Sequence, residues 1–228
     1  MRASNELLPD TLPAEPMSIV AEWLAEAAAH RLQPNPNAMV LATTTRDGRP
    51  AARVVLCKDI APEPGYIVFY TNYQSRKGRE LAENPRAAAV IHWDHLQRQI
   101  RIEGIVVPAP PQESDAYFAS RPWQSRIGAW ASAQSQPIGS RGALLSAVAD
   151  AARRFGMPDP SAESASAASV SIPRPAHWGG YRLWTDAVEL WVEGKARVHD
   201  RVNWTRMLTH RGAGLFMTGP WSATRLQP

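Results

Sequence analysis

Apolar and polar positions alternate at the two-residue period of a strand in several stretches of this chain, and others carry the wider spacing of a helix. Pro16 suits a helix start, and Ile19, Val20, Trp23, Leu24 and Ala27 form one apolar stripe, so a helix is expected from 16 to about 32, before the turn-forming PNPN at 34–37. Residues 39–45 read as a buried strand, Asp47-Gly48 as a hairpin turn and 51–58 as the returning strand. In that return Arg53, Val55 and Cys57 share one face and Lys58 takes the other. Further strands are expected at 66–71, 87–93, 97–107, 181–185 and 187–193, with a last one in the tail 221–228. In 97–107, Ile100 and Ile102 alternate with Gln99, Arg101 and Glu103, giving one apolar and one polar face. Ser75 is a suitable N-cap for a helix ending at Asn84-Pro85. Residues 112–121, 122–132 and 142–155 also read as helical. The pattern predicts a mostly β fold with peripheral helices.

Composition narrows this picture. The chain has 228 residues and is 44% hydrophobic, enough for a sizeable core. Residues 16–228 are expected to form one domain. A polar segment at 1–15 is expected to be mobile, and 158–175 reads as a low-complexity insertion, without periodicity, that buries little. Net charge is +4, but the basic residues are scattered, which argues against nucleic acid and allows anionic ligands. The single cysteine, Cys57, rules out an intramolecular disulfide and suits a reducing cytoplasm. No apolar run reaches the roughly 18 residues of a membrane span, so the chain reads as soluble and cytoplasmic, with no membrane partner.

Three clusters carry chemistry. Tyr117, Arg121 and Ser125 stand at four-residue steps, and Pro122 places Arg121 at a bend before a fresh helix start. Two hydroxyls, a guanidinium fork and free N–H groups suit a phosphate, although a kinked surface helix would give the same spacing. Arg76 and Lys77 fall in the first turn after Ser75, where cations oppose the helix dipole unless an anion sits there; a basic surface turn is the alternative. Arg197, His199 and Arg201 would share one face of an extended segment after Trp191. One histidine is too few for a metal site. No Walker loop, GxGxxG, GxSxG or HExxH is present.

Several segments, in order, closely resemble the pyridoxamine 5'-phosphate oxidase family: RVVLCK (53–58), FYTN with SRKGREL (69–81), QRQIRIEG (97–104), YFASRP with QSRIGAWAS and QS (117–135), HWGGYR (177–182), ELW (189–191) and RVHDR (197–201). The resemblance implies an FMN-binding split β-barrel and a homodimer with FMN at the subunit interface. It also implies FMN-dependent oxidation of pyridoxamine or pyridoxine 5'-phosphate to pyridoxal 5'-phosphate by O2, releasing H2O2. By position it implies FMN contacts at Arg53, Val54, Val55, Leu56, Cys57, Lys58, Tyr70, Thr71, Arg76, Lys77, Gln99, Gln134, Ser135, Trp191 and Arg201. It implies a grip on the substrate phosphate by Lys58, Tyr117, Arg121 and Ser125, and Arg197 and His199 as the catalytic pair over the substrate ring. In a shared site the stretch around Gln134 is expected from the subunit opposite Arg53. The chain departs from the family at Ile91-His92-Trp93, at Trp123-Gln124, in the insertion, and in an N-terminal segment with only Arg2 as a base. A phenazine-type FMN oxidase of the same fold is the nearest alternative, but there the Lys58 position and the SRP…IGAWAS pattern are altered. A non-catalytic flavin- or haem-binding barrel is a second, disfavoured by Arg197 and His199.

Overall fold

A computed structural model describes residues 8–158 and 171–228. Helix α1 (Met17–His30) lies against a curled sheet built from β1 (Ala38–Thr44), β2 (Pro50–Leu56), β3 (Asp59–Ala61), β4 (Tyr66–Asn72), β5 (Arg86–Trp93), β6 (Arg98–Pro108), β7 (Trp178–Val192), β8 (Asp200–Thr205) and β11 (Ser222–Leu226). Helix α2 (Arg76–Glu83) joins β4 to β5, and α3 (Pro111–Ser120), α4 (Trp123–Ala131) and α5 (Arg141–Arg154) join β6 to β7. A small hairpin, β9 (Leu208–His210) with β10 (Phe216–Thr218), and the short strand β3 carry too few residues for the periodicity to show them.

The main sheet runs β11-β8-β7-β6-β5-β1-β2, and β4 with β3 joins the other flank of β7. Strand β7 therefore changes neighbour along its length. Residues 178–184 pair with β4, residues 187–192 pair with β8, and β6 follows both halves. This corrects the expectation of two strands at 181–185 and 187–193. Asp186 is an extra residue in the β6–β7 ladder, between the Gly104–Thr185 and Glu103–Ala187 pairs, so alternation slips by one residue and one bent strand reads as two. Gly104 is required there, because a Cβ would stand 1.8 Å from the Trp184 carbonyl oxygen. Arg206 braces the bend, its Nε donating to Thr185 O at 2.8 Å and its backbone N to Asp186 O at 2.9 Å.

Inside the curl, Leu41, Ile67, Phe69, Ile91, Trp93, Ile100, Ile102 and Trp204 form the main core, closed by Met17, Val20, Trp23 and Ala27 of α1. A smaller core under α3–α5 gathers Phe118, Ile127, Ala152, Met157, Ile172 and Trp178.

Two segments expected to be loose are partly held. From residue 8 the N-terminal segment lies on the barrel: Leu8 is buried, its N–H donates to Asp200 Oδ2 at 2.8 Å, and Trp204 Nε1 donates to Pro13 O at 3.0 Å. Glu15 accepts from the N–H groups of Met17 and Ser18 at the start of α1. Residues 1–7 lie outside the described residues. Of the expected insertion, 159–170 lies outside them too, but 171–175 is packed: Ile172 is buried, Pro173 O accepts from Trp130 Nε1 at 2.8 Å, and Arg174 pairs with Asp115 at 2.7 Å.

Candidate active site

The bend expected at Arg121 is present. Helix α3 stops at Ser120, Arg121 is extended (φ −73°, ψ 148°), and α4 restarts after Pro122 with no side chain capping its first N–H groups. Tyr117 from the last turn of α3, Arg121 from the break and Ser125 from the first turn of α4 line one cavity of about 490 Å³. Its other walls are Val54, Val55, Leu56 and Lys58 from the end of β2, Tyr70 and Thr71 from β4, Lys77 from α2, and Gln134 and Trp178. Lys58 lies just past the strand rather than in it, where Cys57 N and Lys58 N bond to Asn37 O and Val68 O.

At one end of the cavity Arg121 is aimed inward. Its guanidinium lies over the Trp178 ring, 4.6 Å from the centroid, and its Nη1 is buried without a partner among the described residues. Burial holds its pKa below the usual guanidinium value. A buried donor with no acceptor costs stability, so this geometry suits an anion brought by a ligand. Tyr117 is stacked on Tyr70 with ring centroids 3.8 Å apart, and burial pushes the Tyr70 hydroxyl up to about 12, so it stays a donor at neutral pH.

In another wall of the cavity Lys77 is buried, with Nζ 2.9 Å from Thr71 Oγ1 and 2.9 Å from Gln134 Oε1. Burial and then the charge of Arg53 pull its pKa down to about 8. Ser75 caps α2 as expected, accepting from Gly78 N at 3.2 Å. Arg53 Nη2 and Arg76 Nε both bond to the carboxylate of Glu80, at 3.0 and 2.7 Å, and Arg53 also bonds to Leu41 O and Thr43. Three cations thus converge at the start of one helix. Gln134 reaches this cluster within the same chain, against the expectation that it comes from the subunit opposite Arg53: the β4–α2 corner and the α4–α5 loop are neighbours through Thr71 and Lys77. Ser135, next to it, is exposed and left-handed at φ 69°.

Cys57 does not face the cavity. Its side chain is in the main core, where burial raises the thiol to about 12, so any ligand contact there falls to the backbone.

The remaining expected residues lie elsewhere. Gln99, Trp191 and Arg201 stand opposite one another across β6, β7 and β8, half-buried and outside the cavity. Arg201 is held by Glu189 at 2.9 Å and by Gln227 O, and Arg101 holds the other Glu189 oxygen at 2.9 Å. His199 packs its ring 4.7 Å from Trp191, and its Nδ1 accepts from Gly194 N at 3.2 Å, so a neutral His199 carries its proton on Nε2. Arg197 corrects the extended reading of this segment. Residues 195–197 form a tight turn closed by Val198 N to Lys195 O, with Ala196 and Arg197 left-handed, so Arg197 and Arg201 do not share a strand face.

Three residues of the site were not foreseen: Trp178, Thr43 and Glu80. Glu80 carried a signal, since it stands four residues after Arg76, but that spacing also describes an ordinary surface pair. A larger cleft, of about 700 Å³, lies between Tyr73, Pro108–Pro111, Arg182 and Leu215. Its arginines are already paired, Arg174 with Asp115 and Arg182 with Glu113, so the smaller cavity carries the unmatched charge.

Residues 24–154 match the family model for pyridoxamine 5'-phosphate oxidase, and residues 178–228 match that for the pyridoxine 5'-phosphate oxidase C-terminal dimerisation region. Curated relatives named pyridoxine/pyridoxamine 5'-phosphate oxidase include one from Verminephrobacter eiseniae, 48% identical over 98% of this chain and 93% of its own. Another, from Paraburkholderia phymatum, is 47% identical over 90% of this chain and 85% of its own. Among solved structures, PhzG from Burkholderia lata 383, in complex with tetrahydrophenazine-1-carboxylic acid, aligns with a TM-score of 0.80 and 31% identity over 98% of both chains. A pyridoxamine 5'-phosphate oxidase-related, FMN binding protein from Nostoc punctiforme aligns at 0.65 and 16% identity over 95% of this chain and 98% of its own, a likeness of fold.

Proposed function

The chain belongs to the pyridoxamine 5'-phosphate oxidase family of oxidoreductases, and we propose that it oxidises pyridoxamine or pyridoxine 5'-phosphate to pyridoxal 5'-phosphate, with FMN as cofactor and O2 as acceptor. One observation carries this reading. A single cavity is lined both by Arg121, whose buried Nη1 has no partner among the described residues, and by Lys77, which neighbours the Arg53–Glu80–Arg76 cluster behind the wall. A phosphorylated cofactor and a phosphorylated substrate held side by side need two such cationic groups.

In this reading the FMN phosphate lies against Arg53, Arg76 and Lys77 at the start of α2, beside Thr71, Gln134 and Ser135. The substrate phosphate lies against Lys58, Tyr117, Arg121 and Ser125. These contacts are remote from the reacting carbon, so they act by fixing the ring's position and orientation. Bound FMN supplies the two-electron acceptor, which O2 regenerates with release of H2O2. Gln99, Trp191, Arg201, Arg197 and His199 are not among the cavity's walls, and four of the five fall in the region matching a dimerisation model. We therefore place them over the cavity of the partner copy in a homodimer. His199, with its proton on Nε2, offers a donor to the substrate ring, and Arg197 a second one. Cys57 as an unpaired thiol supports work in the cytoplasm, and no described helix is long and apolar enough to cross a membrane.

The likeness to PhzG supports a second reading, oxidation of a phenazine precursor whose carboxylate takes the Arg121 end. The oxidase relatives are closer in sequence, and the full set of four phosphate donors favours the dianion. The test is peroxide formation by the purified protein. Pyridoxine 5'-phosphate should give peroxide, and unphosphorylated pyridoxine far less. Equal rates with both, or turnover of a tetrahydrophenazine carboxylate alone, would reject the assignment.

A further inference from the structure

Among the basic residues at the start of α2 sits one buried carboxylate. The Glu80 side chain is only 4% exposed, and it spends both oxygens. Oε1 accepts from Arg76 Nε, and Oε2 accepts from Arg53 Nη2 and from the Thr43 hydroxyl. Burial pushes this carboxyl up, but the bonds from Thr43, Arg76 and Arg53 outweigh it and hold the pKa below the usual value, so Glu80 is an anion at neutral pH.

Such a group opposes the binding of a phosphate if charge alone is considered. Its geometry has another effect. Arg53 comes from β2 and Arg76 from α2, and Glu80 is the atom-to-atom link between them. Arg76 gives it only Nε, and its two terminal nitrogens take no bond among the described residues, so the outer edge of the guanidinium is left for a ligand. The Arg76 side chain is 55% exposed and would otherwise sample many rotamers. The count of charge also closes: Arg53, Arg76 and Lys77 give three positive charges, Glu80 removes one, and the remaining two match a phosphate dianion.

We propose that Glu80 is a positioning residue for the cofactor phosphate: it fixes Arg53 and Arg76 as one pre-formed receptor. The inference rests on the reading that this cluster holds the FMN phosphate. It is tested with the full-length apoprotein, by titrating Glu80→Gln with FMN and with riboflavin, which lacks the phosphate, while following flavin fluorescence and thermal melting. FMN affinity should fall about tenfold or more, the size of a disrupted charge-assisted contact. Riboflavin affinity should stay within about twofold, because both flavins share the ring contacts. Unchanged or tighter FMN binding would overturn the proposal, because Glu80 would then not be needed to hold the receptor. A parallel loss of both flavins with a lower melting temperature would overturn it too, in favour of a merely structural role. If Glu80→Gln does not fold, Glu80→Asp, which keeps the charge and shortens the reach, must lose FMN selectively. Arg76→Ala separates this inference from the reading beneath it. If that variant keeps full FMN affinity, the phosphate is not here; if it loses affinity while the Glu80 variants do not, only the positioning role falls.

Discussion

The cavity between β2, β4 and α4 and the face of β6, β7 and β8 carry similar residues but hold them differently. In the cavity Thr71 and Lys77 are buried, Tyr117, Arg121 and Ser125 are half-buried, and Arg121 keeps one buried nitrogen without a partner among the described residues. On the sheet face Arg201 is already bonded to Glu189 and to Gln227 O, and Trp191 is packed by His199. One region is a cavity whose walls come from a single chain; the other is an ordered sheet face outside that cavity. A buried donor without an acceptor is costly, which marks Arg121 Nη1 as the atom that suits a ligand. Arg201 is already bonded and carries no such mark, so this face gains a reading only when a second copy is considered.

The largest effect that could break this contrast is loss of the cofactor. Arg76→Ala with Lys77→Ala should weaken FMN binding about a hundredfold or more, since two charge-assisted contacts go. Protein that purifies fully yellow would reject the phosphate assignment. Next in size is the separation of grip from chemistry. Arg121→Ala should weaken substrate binding about ten- to a hundredfold and leave FMN bound. His199→Ala or Arg197→Ala should instead slow anaerobic flavin bleaching at saturating substrate. Slow reduction at saturation in the Arg121 variant, with normal affinity, would contradict the scheme.

A smaller effect should appear with pH. Lys77 has its pKa pulled from 10.5 to about 8, so the folded apoprotein releases a proton that the unfolded chain keeps between those values. The cost of burying the charge is therefore full below about pH 8 and fades toward 10.5, and apoprotein stability gains from this group as pH rises through that window. A bound phosphate favours the charged form, so FMN affinity should fall over the same range. Melting curves and FMN titrations between pH 7 and 10 check both signs; a parallel rise of the two would refute the coupling. The smallest expected effect is at 159–170, where a short Gly/Ser replacement should change stability by less than about 0.5 kcal/mol. Ile172→Ala, in the smaller core, should cost about 2–5 kcal/mol in a denaturant titration.

Much of the cavity was legible in the sequence because local chemistry dictates it. Pro122 forces the break that exposes Arg121, and Ser75 starts the helix that carries Arg76 and Lys77. Strand positions were legible where one face is buried, as at Ile100 and Ile102. What was not legible depends on partners distant in sequence. The slip at Asp186 arises because β7 exchanges β4 for β8, and no local pattern encodes that exchange. The turn at 195–197 reads as an extended run because its left-handed residues are alanine and arginine rather than glycine. Glu80 was missed because its burial depends on Arg53 and Thr43, which arrive from neighbouring strands.

The central claim is that the cavity of one copy and the β6–β8 face of another form one site. Complementation tests it most directly. Chains carrying Arg76→Ala with Lys77→Ala, and chains carrying Arg197→Ala with His199→Ala, are each expected to be inactive alone. Co-expressed under two affinity tags and purified through both, a mixed dimer holds one doubly damaged site and one intact site. It should bind flavin and form peroxide from pyridoxine 5'-phosphate at up to about half the native rate per dimer, as one intact site of two requires. Mixed dimers as inactive as their parents would mean that each site is built within a single chain, and the account would be wrong.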